Sequence, residues 1–175
     1  MLDKLVDFVL GILHLFRFWV ICPTEYRGFI RRFGVPVRDL KPGWNWRLPF
    51  GVHEGTLVDM RVWADVLQPQ SLRTRDGKTL VIRLLVSHQV SDPRTYVLTV
   101  YDAANNLMDL AAGLLGQVVL ANDAAAVLSG AVLKQLDAKV VRAAKKWGIE
   151  VNRVAFVDIA EAPAFRLFGV HQEST

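Results

Sequence analysis

The sequence predicts an α+β domain behind an apolar N-terminal segment. Three observations carry this reading. Runs of alternating apolar and polar residues dominate as far as Val90. After Asp92-Pro93 the apolar period changes to three and four, and after Gly148 one more alternating run follows. Periods of two and 3.6 are the signatures of strands and helices, and strands followed by helices indicate an α+β fold. The 175 residues suffice for one domain or two small subdomains. The expected organisation is an anchoring helix over residues 1–22, a domain over 23–162 and a short tail over 163–175. The domain divides into a sheet-rich half, about 23–90, and a helical half, about 91–162.

The first element is the apolar run Leu5 to Cys22. At 100° per residue Asp3, Asp7, His14 and Arg17 share one narrow stripe. The rest of the surface carries Leu5, Phe8, Val9, Ile12, Leu13, Leu15, Phe16, Trp19 and Val20. These nine are the expected membrane-anchoring residues. Such a helix can lie in the headgroup boundary. It can also dip inward with Arg17 snorkelling, or cross with its polar stripe against sister subunits. A cleaved signal peptide fits less well, because Asp3 and Asp7 offset Lys4 and no small-residue cleavage site follows. A buried core helix fits less well too, since the apolar arc is unusually wide. Arg27, Arg31, Arg32, Arg38 and Lys41 lie just behind the segment, which by the positive-inside rule places the main domain on the cytoplasmic side.

Pro23 is expected to end that helix. Arg27–Phe33 reads as a strand with Phe29 and Phe33 on one face. Gly34–Pro42 carries turn chemistry. Trp44, Trp46, Leu48 and Phe50 alternate with polar or turn residues as in a strand, and Thr56–Trp63 is another. Val66–Arg73 and Lys78–Val90 flank Arg75-Asp76-Gly77, a strong hairpin signal. In the second run Leu80, Ile82, Leu84, Val86 and Val90 share a core face, and His88 falls on it. Asp102 is a plausible N-cap for a helix with Leu107, Leu110, Ala111, Leu114, Leu115 and Val118 inward. A second helix runs to about Trp147, with Leu128, Val132, Leu133, Leu136, Val140, Ala144 and Trp147 inward, and Gly148 stops it. Ile149, Val151, Ala155, Val157 and Ile159 mark a last strand.

The chemistry of a catalytic or metal centre is not apparent. His14, His53, His88 and His171 have no neighbours at metal-ligand spacing. His53-Glu54 reads as a surface loop. Ser71, Ser87, Ser91 and Ser129 lack a nucleophile-elbow context, and the glycines are too dispersed to cradle a phosphate. No cofactor, metal or catalytic residue is therefore expected. The net charge of +4 suits an anionic lipid surface; with no basic reading helix or RNA-binding aromatic motif, nucleic acid is not an expected partner. A single cysteine excludes an internal disulfide framework. Trp44 and Trp46 have two readings, a buried strand face or a contact with the bilayer interface, where Trp is favoured. In the second, Arg31 and Arg32 lie close enough in sequence to meet anionic headgroups. Cys22 borders the apolar segment and is a candidate for S-acylation, or else a small buried residue.

Five stretches, in order, resemble the SPFH or Band 7 superfamily, which comprises stomatins, prohibitins, flotillins and paired bacterial modulators of a membrane-bound AAA protease. They are CPTEYRGFIRRFG, LKPGWNWRLPF, VDMR, TRDGKTLVIRLLVSHQVSDPRTY, and KKWGIEVNRVAFVDI followed by Pro163. The resemblance runs from about Val20 to Pro163. It implies an antiparallel sheet-rich half followed by two helices and a final strand. It also implies a non-enzymatic scaffold that forms a ring- or cage-like homo-oligomer on a membrane and organises a membrane patch. The implied partners are the lipid membrane, sister subunits and a membrane protease or channel. A small regulatory subunit that docks such a partner without closing a cage is the alternative. Two features depart from the family pattern: ANDAAAVLSGAVL replaces an Arg-rich turn, and the long coiled coil that usually follows is not in this sequence.

Overall fold

Alternation produces strands as far as Val90, and more of them than the sequence announces. A computed structural model describes residues 18–162 together with Lys4 and Asp7, which are helical. The strands are β1 (Trp19–Cys22), β2 (Tyr26–Arg32), β3 (Val35–Leu40), β4 (Gly43–Trp46), β5 (His53–Asp59), β6 (Trp63–Val66), β7 (Gln70–Arg73) and β8 (Thr79–Val90). The helices α1 (Pro93–Thr99), α2 (Ala103–Ala121), α3 (Ala124–Leu128) and α4 (Leu133–Ala144) follow. A 3-10 turn, Lys145–Trp147, leads into β9 (Ile149–Ala162). The described chain is α+β, with four helices where two were expected. Ser129–Val132 separates α3 from α4, with Gly130 in the left-handed region at φ 73°. The expected anchoring residues Leu5, Phe8, Val9, Ile12, Leu13, Leu15 and Phe16 lie outside the described residues, as does the tail.

Two compact units share the chain. The first comprises residues up to Trp63, His88–Ala103 and Ala143–Val151. It contains a two-stranded antiparallel ribbon, β1 with β4, and a three-stranded sheet in the order β3-β2-β5. Phe29, Ile30, Leu40, Cys22 and, at the start of β9, Ile149 are its most deeply buried side chains from the strands, each at most 2% exposed. Gly28 is needed where β2 passes β5, because a Cβ there would sit 1.8 Å from the Thr56 carbonyl oxygen. Asp92 caps α1: its carboxylate accepts from the Arg94 N–H (3.0 Å) and the Thr95 hydroxyl (2.5 Å), and Pro93 occupies the first turn. Arg94 then reaches Asp39 of β3 at 2.6 Å. The Gly148 carbonyl accepts from the backbone N–H groups of Ser91 and Asp92, at 2.8 and 3.1 Å. Gly148 itself ends the preceding turn at φ 71°, and a Cβ there would lie 2.5 Å from the Asp92 oxygen.

The second unit comprises Ala64–Ser87, Ala104–Arg142 and the chain from Asn152. Leu80, Ile82, Leu84 and Val86 of β8 are fully buried, as their alternation requires. Leu107, Ala111, Leu115, Val118 and Val119 form the inward stripe of α2. By length and composition α2 could cross a membrane, but its buried stripe is that of a core helix. The β7–β8 turn is a set of fasteners. Asp76 accepts from the Thr74 hydroxyl and, at 3.2 Å, from the Ala124 N–H. Arg75 pairs with Asp123 through two contacts of 2.6 and 2.9 Å.

Several expectations are corrected. Trp19–Cys22 is a strand, so the helix cannot extend to Cys22, and Trp19 and Val20 belong to β1. Residues 35–40, read as a turn, form β3. Phe33 does not share the buried face of Phe29; it is 76% exposed, beyond a register shift between Ile30 and Arg31. His53-Glu54 opens β5 rather than a surface loop. Asp102 stands at φ 50° before α2, which is not the extended geometry of an N-cap. In β9 the inward positions are Ile149, Val151 and Val154, so the alternation changes phase where the chain passes from one unit to the other.

Candidate membrane interface

The pairing of β1 with β4 sets Trp19 opposite Trp46 and Ile21 opposite Trp44. Side chains alternate across a ribbon, so these four share one face. That face points outward: Trp44 and Trp46 are 68% and 67% exposed, Ile21 55% and Trp19 38%. The Trp19 and Trp44 rings stack, 5.5 Å between centroids and 10° between planes. The opposite face turns inward and carries Val20, Cys22 and Asn45. Asn45 is buried because its amide is satisfied locally. Its nitrogen donates to the Lys41 and Gly43 carbonyls at 2.7 and 3.1 Å, and its oxygen accepts from the Lys41 N–H at 3.2 Å. The buried-face reading of Trp44 and Trp46 is therefore corrected: the polar residue between them goes in, and the tryptophans face out.

Two turns of the same unit carry further exposed aromatic side chains. Phe33-Gly34 joins β2 to β3, with φ of 47° and 82°. Both central residues are left-handed, as in a type I′ hairpin turn, which ordinarily carries Asn-Gly. Phe50-Gly51 repeats the combination at 61° and 72°. The Phe33 N–H donates to the Val52 carbonyl at 3.3 Å, which ties the two turns together. Phe50 is 63% exposed, and Val35 and Val37 are exposed behind Phe33.

Cations accompany the aromatics. The Arg32 guanidinium lies 6.0 Å from the Phe33 ring centroid, and that of Arg31 lies 5.3 Å from Phe29. Arg31 is half-buried, and its Nε has no hydrogen-bond partner. Arg38 donates to the Trp46 carbonyl at 2.6 Å. Beside the ribbon is a groove of about 440 Å³ lined by Ile30, Val37, Leu48 and Trp46 with Arg38, Arg47 and His53. His53 accepts the Leu48 N–H on Nδ1 at 3.1 Å. Among the described residues no cluster of three or more His, Cys, Asp and Glu is placed to hold a metal ion.

The structure thus brings Trp19, Trp44 and Trp46 together and sets Arg32 at the neighbouring hairpin turn. It does not present Cys22. That side chain is 1% exposed, its thiol lies 3.3 Å from the Tyr26 carbonyl oxygen, and burial pushes its pKa up. The side chain matches the other reading, a small buried residue, and an inward thiol with a raised pKa is a poor nucleophile. Phe33, Phe50, Ile21 and Leu48 were not anticipated as surface residues. The repeated Phe-Gly dipeptide was the available signal, because Gly follows a left-handed residue in tight turns.

The VDMR stretch is structural in this chain. Asp59 of VDMR accepts from the Arg61 backbone and guanidinium at 2.9 Å, and that hydrogen bonding holds its carboxyl below the usual range. Across residues 18–162, sheets, a two-stranded ribbon and four helices make an α+β domain with an outward aromatic face. The chain belongs to the SPFH domain / Band 7 family, whose profile matches residues 20–166. It is 28% identical over 160 residues to an uncharacterized protein of Methanocaldococcus jannaschii, covering 86% of this chain and 78% of that one. Over 104 residues it is 29% identical to Mechanosensory protein 2 and 28% identical to Stomatin-4, both of Caenorhabditis elegans. Each of these two matches covers 58% of this chain, but only 22% and 37% of the respective relative. Membership of the SPFH domain / Band 7 family supports, in general terms, a membrane-associated scaffold role.

Proposed function

We propose that this chain is a membrane-anchored scaffold that self-associates into a ring- or cage-like oligomer, with its main domain on the cytoplasmic side. It organises a membrane patch and holds or excludes membrane proteins such as a protease or channel. The observation that carries the reading is the outward aromatic face of the β1–β4 ribbon, with Phe33 and Phe50 exposed on neighbouring turns. Half-burying four such rings is worth on the order of 5 kcal/mol before ordering costs. Arg32 and Arg38 are exposed, and in this reading they meet anionic headgroups.

The same ribbon limits the anchor. Because β1 takes Trp19–Cys22, the apolar run left for anchoring is Leu5 to Phe18. As a helix that run would rise only about 21 Å, against a hydrocarbon core of about 30 Å. It favours an anchor seated in one leaflet over a span, with His14 and Arg17 turned to water or headgroups. Anchor and aromatic face then act as two weak contacts that add through effective concentration.

Flotation of the full chain with phosphatidylcholine–phosphatidylglycerol vesicles tests this. Replacing both Trp44 and Trp46 with serine should cut the bound fraction about tenfold while the domain stays folded. Unchanged flotation would sink the second contact. Sedimentation in mild detergent should give particles larger than the monomer. A monomer would instead favour the subunit that docks a single partner.

A further inference from the structure

The second unit has an open sheet edge. The part of β9 that belongs to it begins at Asn152. Among the described residues β9 pairs with β8 alone, so its other side offers a row of backbone donors and acceptors. Such edges are ordinarily kept short or blunted by proline. β9 has 14 residues, and the first proline after its start is Pro163, beyond its end. Val154 is buried, so alternation sets Ala155, Val157, Ile159 and Glu161 together on the other face. Arg153 stands exposed at the head of that row. Val157, at the centre, is 49% exposed, and Ala155 and Ile159 are half-buried. The row thus reads cation, three apolar residues, anion, which is complementary to its own reverse.

We infer that this edge is a self-recognition surface: two copies pair β9 with β9, antiparallel, about a two-fold axis at Val157. In that register Arg153 lies opposite Glu161 of the second copy, Ala155 opposite Ile159 of the second copy, and Val157 opposite its own counterpart. A two-fold that continues the sheet keeps each side chain on its own face, so the axis must fall on a residue. Of the centres from Ala155 to Ile159, only Val157 sets Arg153 against an acid. A centre at Asp158 would set that carboxylate against its own copy, which is unfavourable. On the reverse face of the chosen register Asp158 falls opposite Phe156 of the second copy, at an exposed position where a carboxylate keeps its water. Glu161 already meets Lys78 at 3.1 Å, and a carboxylate has the acceptor capacity for Arg153 of the second copy as well. A strand of another protein would satisfy the backbone equally, but the opposite charges at the two ends fit a second copy. The inference rests on the self-association proposed above and names one of its contacts. An isologous contact closes on itself, so a ring or cage would be assembled from pairs through a further surface.

Oxidation of the full chain in mild detergent tests the register. In Val157→Cys the two Cα atoms would lie about 5 Å apart, within disulfide reach, and a covalent dimer should form. In Ile159→Cys they would be offset by four residues, about 14 Å, and the dimer yield should fall about tenfold. The unsubstituted chain, whose single Cys22 is 1% exposed, should give none. Arg153→Glu or Glu161→Arg sets like charges opposite each other and should weaken association, measured by sedimentation, about tenfold. Combining the two should restore it, which a folding fault would not do. No dimer from Val157→Cys, equal yields from the two cysteine variants, or no restoration by the double substitution overturns the inference. The two readings separate cleanly. Large particles of the unsubstituted chain with no bridge in Val157→Cys overturn the edge contact alone. A bridge in Val157→Cys, with particles never larger than two copies, overturns the ring or cage and leaves the edge contact standing.

Discussion

Phe33 and Phe50 hold backbone conformations that L-residues avoid. A left-handed residue with a Cβ costs about 1–2 kcal/mol, and an aromatic side chain has none of the local hydrogen bonding that lets Asn settle there. Both rings are nonetheless exposed, so burial within the described chain does not offset the cost. Phe33→Asn keeps Gly34 and restores the pairing that type I′ turns favour. It should raise stability by about 1 kcal/mol, or about 3 °C in Tm by differential scanning calorimetry, and weaken vesicle binding. A variant that is less stable would show that the ring packs usefully within the folded domain. At this scale the sequence was only partly legible. Trp44, Trp46 and Asn45 show why: alternation identifies two faces but not which is buried. The short Asn45 side chain decided it by finding the Lys41 and Gly43 carbonyls. Nothing in a period-two pattern registers that choice.

Among the elements, α1 depends on its cap. Hydrogen bonding from Thr95, then the Arg94 and Thr95 backbone N–H groups, holds the Asp92 carboxyl below the usual carboxylate range. Asp76 is lowered in the same way, first by the Thr74 hydroxyl. A carboxyl whose pKa is lower in the folded chain contributes stability above its unfolded value, about 3.9. That contribution is lost as pH falls through the folded value. Stability should therefore decline below about pH 4. Asp92→Asn, also a good cap, should leave stability at neutral pH within about 0.5 kcal/mol and flatten the acid slope in a Tm-against-pH series. An unchanged slope would mean the cap does not titrate with folding. The elements themselves were unevenly readable. β8 was plain, because five apolar residues on one face have no other physical use. β3 was hidden by Gly34 and Pro36, which read as a turn. Pro36 is tolerated because β3 is the edge strand of its sheet, opposite Arg31 where the register shifts.

At the scale of the whole molecule, the family was legible because its motifs are fasteners as much as surfaces. Gly28 permits the close approach of β2 and β5. Asp59 and Arg61 close a tight turn, and Arg75-Asp76 clamps the start of α3. Such residues are constrained by backbone geometry, so they recur in register wherever the fold does. The aromatic face is different. It depends on which side of a two-stranded ribbon turns outward, and that emerges only when β1 and β4 meet across the intervening chain of residues 23–42. The extent of the anchor was misjudged for a related reason. Trp19–Cys22 is as apolar as the residues before it, and only pairing with β4 makes it a strand.

The stacked indoles of Trp19 and Trp44 also have an optical consequence. Two chromophores held 5.5 Å apart couple their excited states, so the ribbon should give a paired positive and negative band in its circular dichroism spectrum. Trp19→Phe or Trp44→Phe should each abolish the whole couplet rather than half of it. Persistence of the couplet in either variant would place its origin in other residues. Docking on vesicles that pulls the rings apart would bleach the signal, and docking that preserves the stack would leave it intact. The protein thus contains a built-in spectroscopic gauge, readable without a label, of whether its first strand stays zipped to its fourth when it meets lipid.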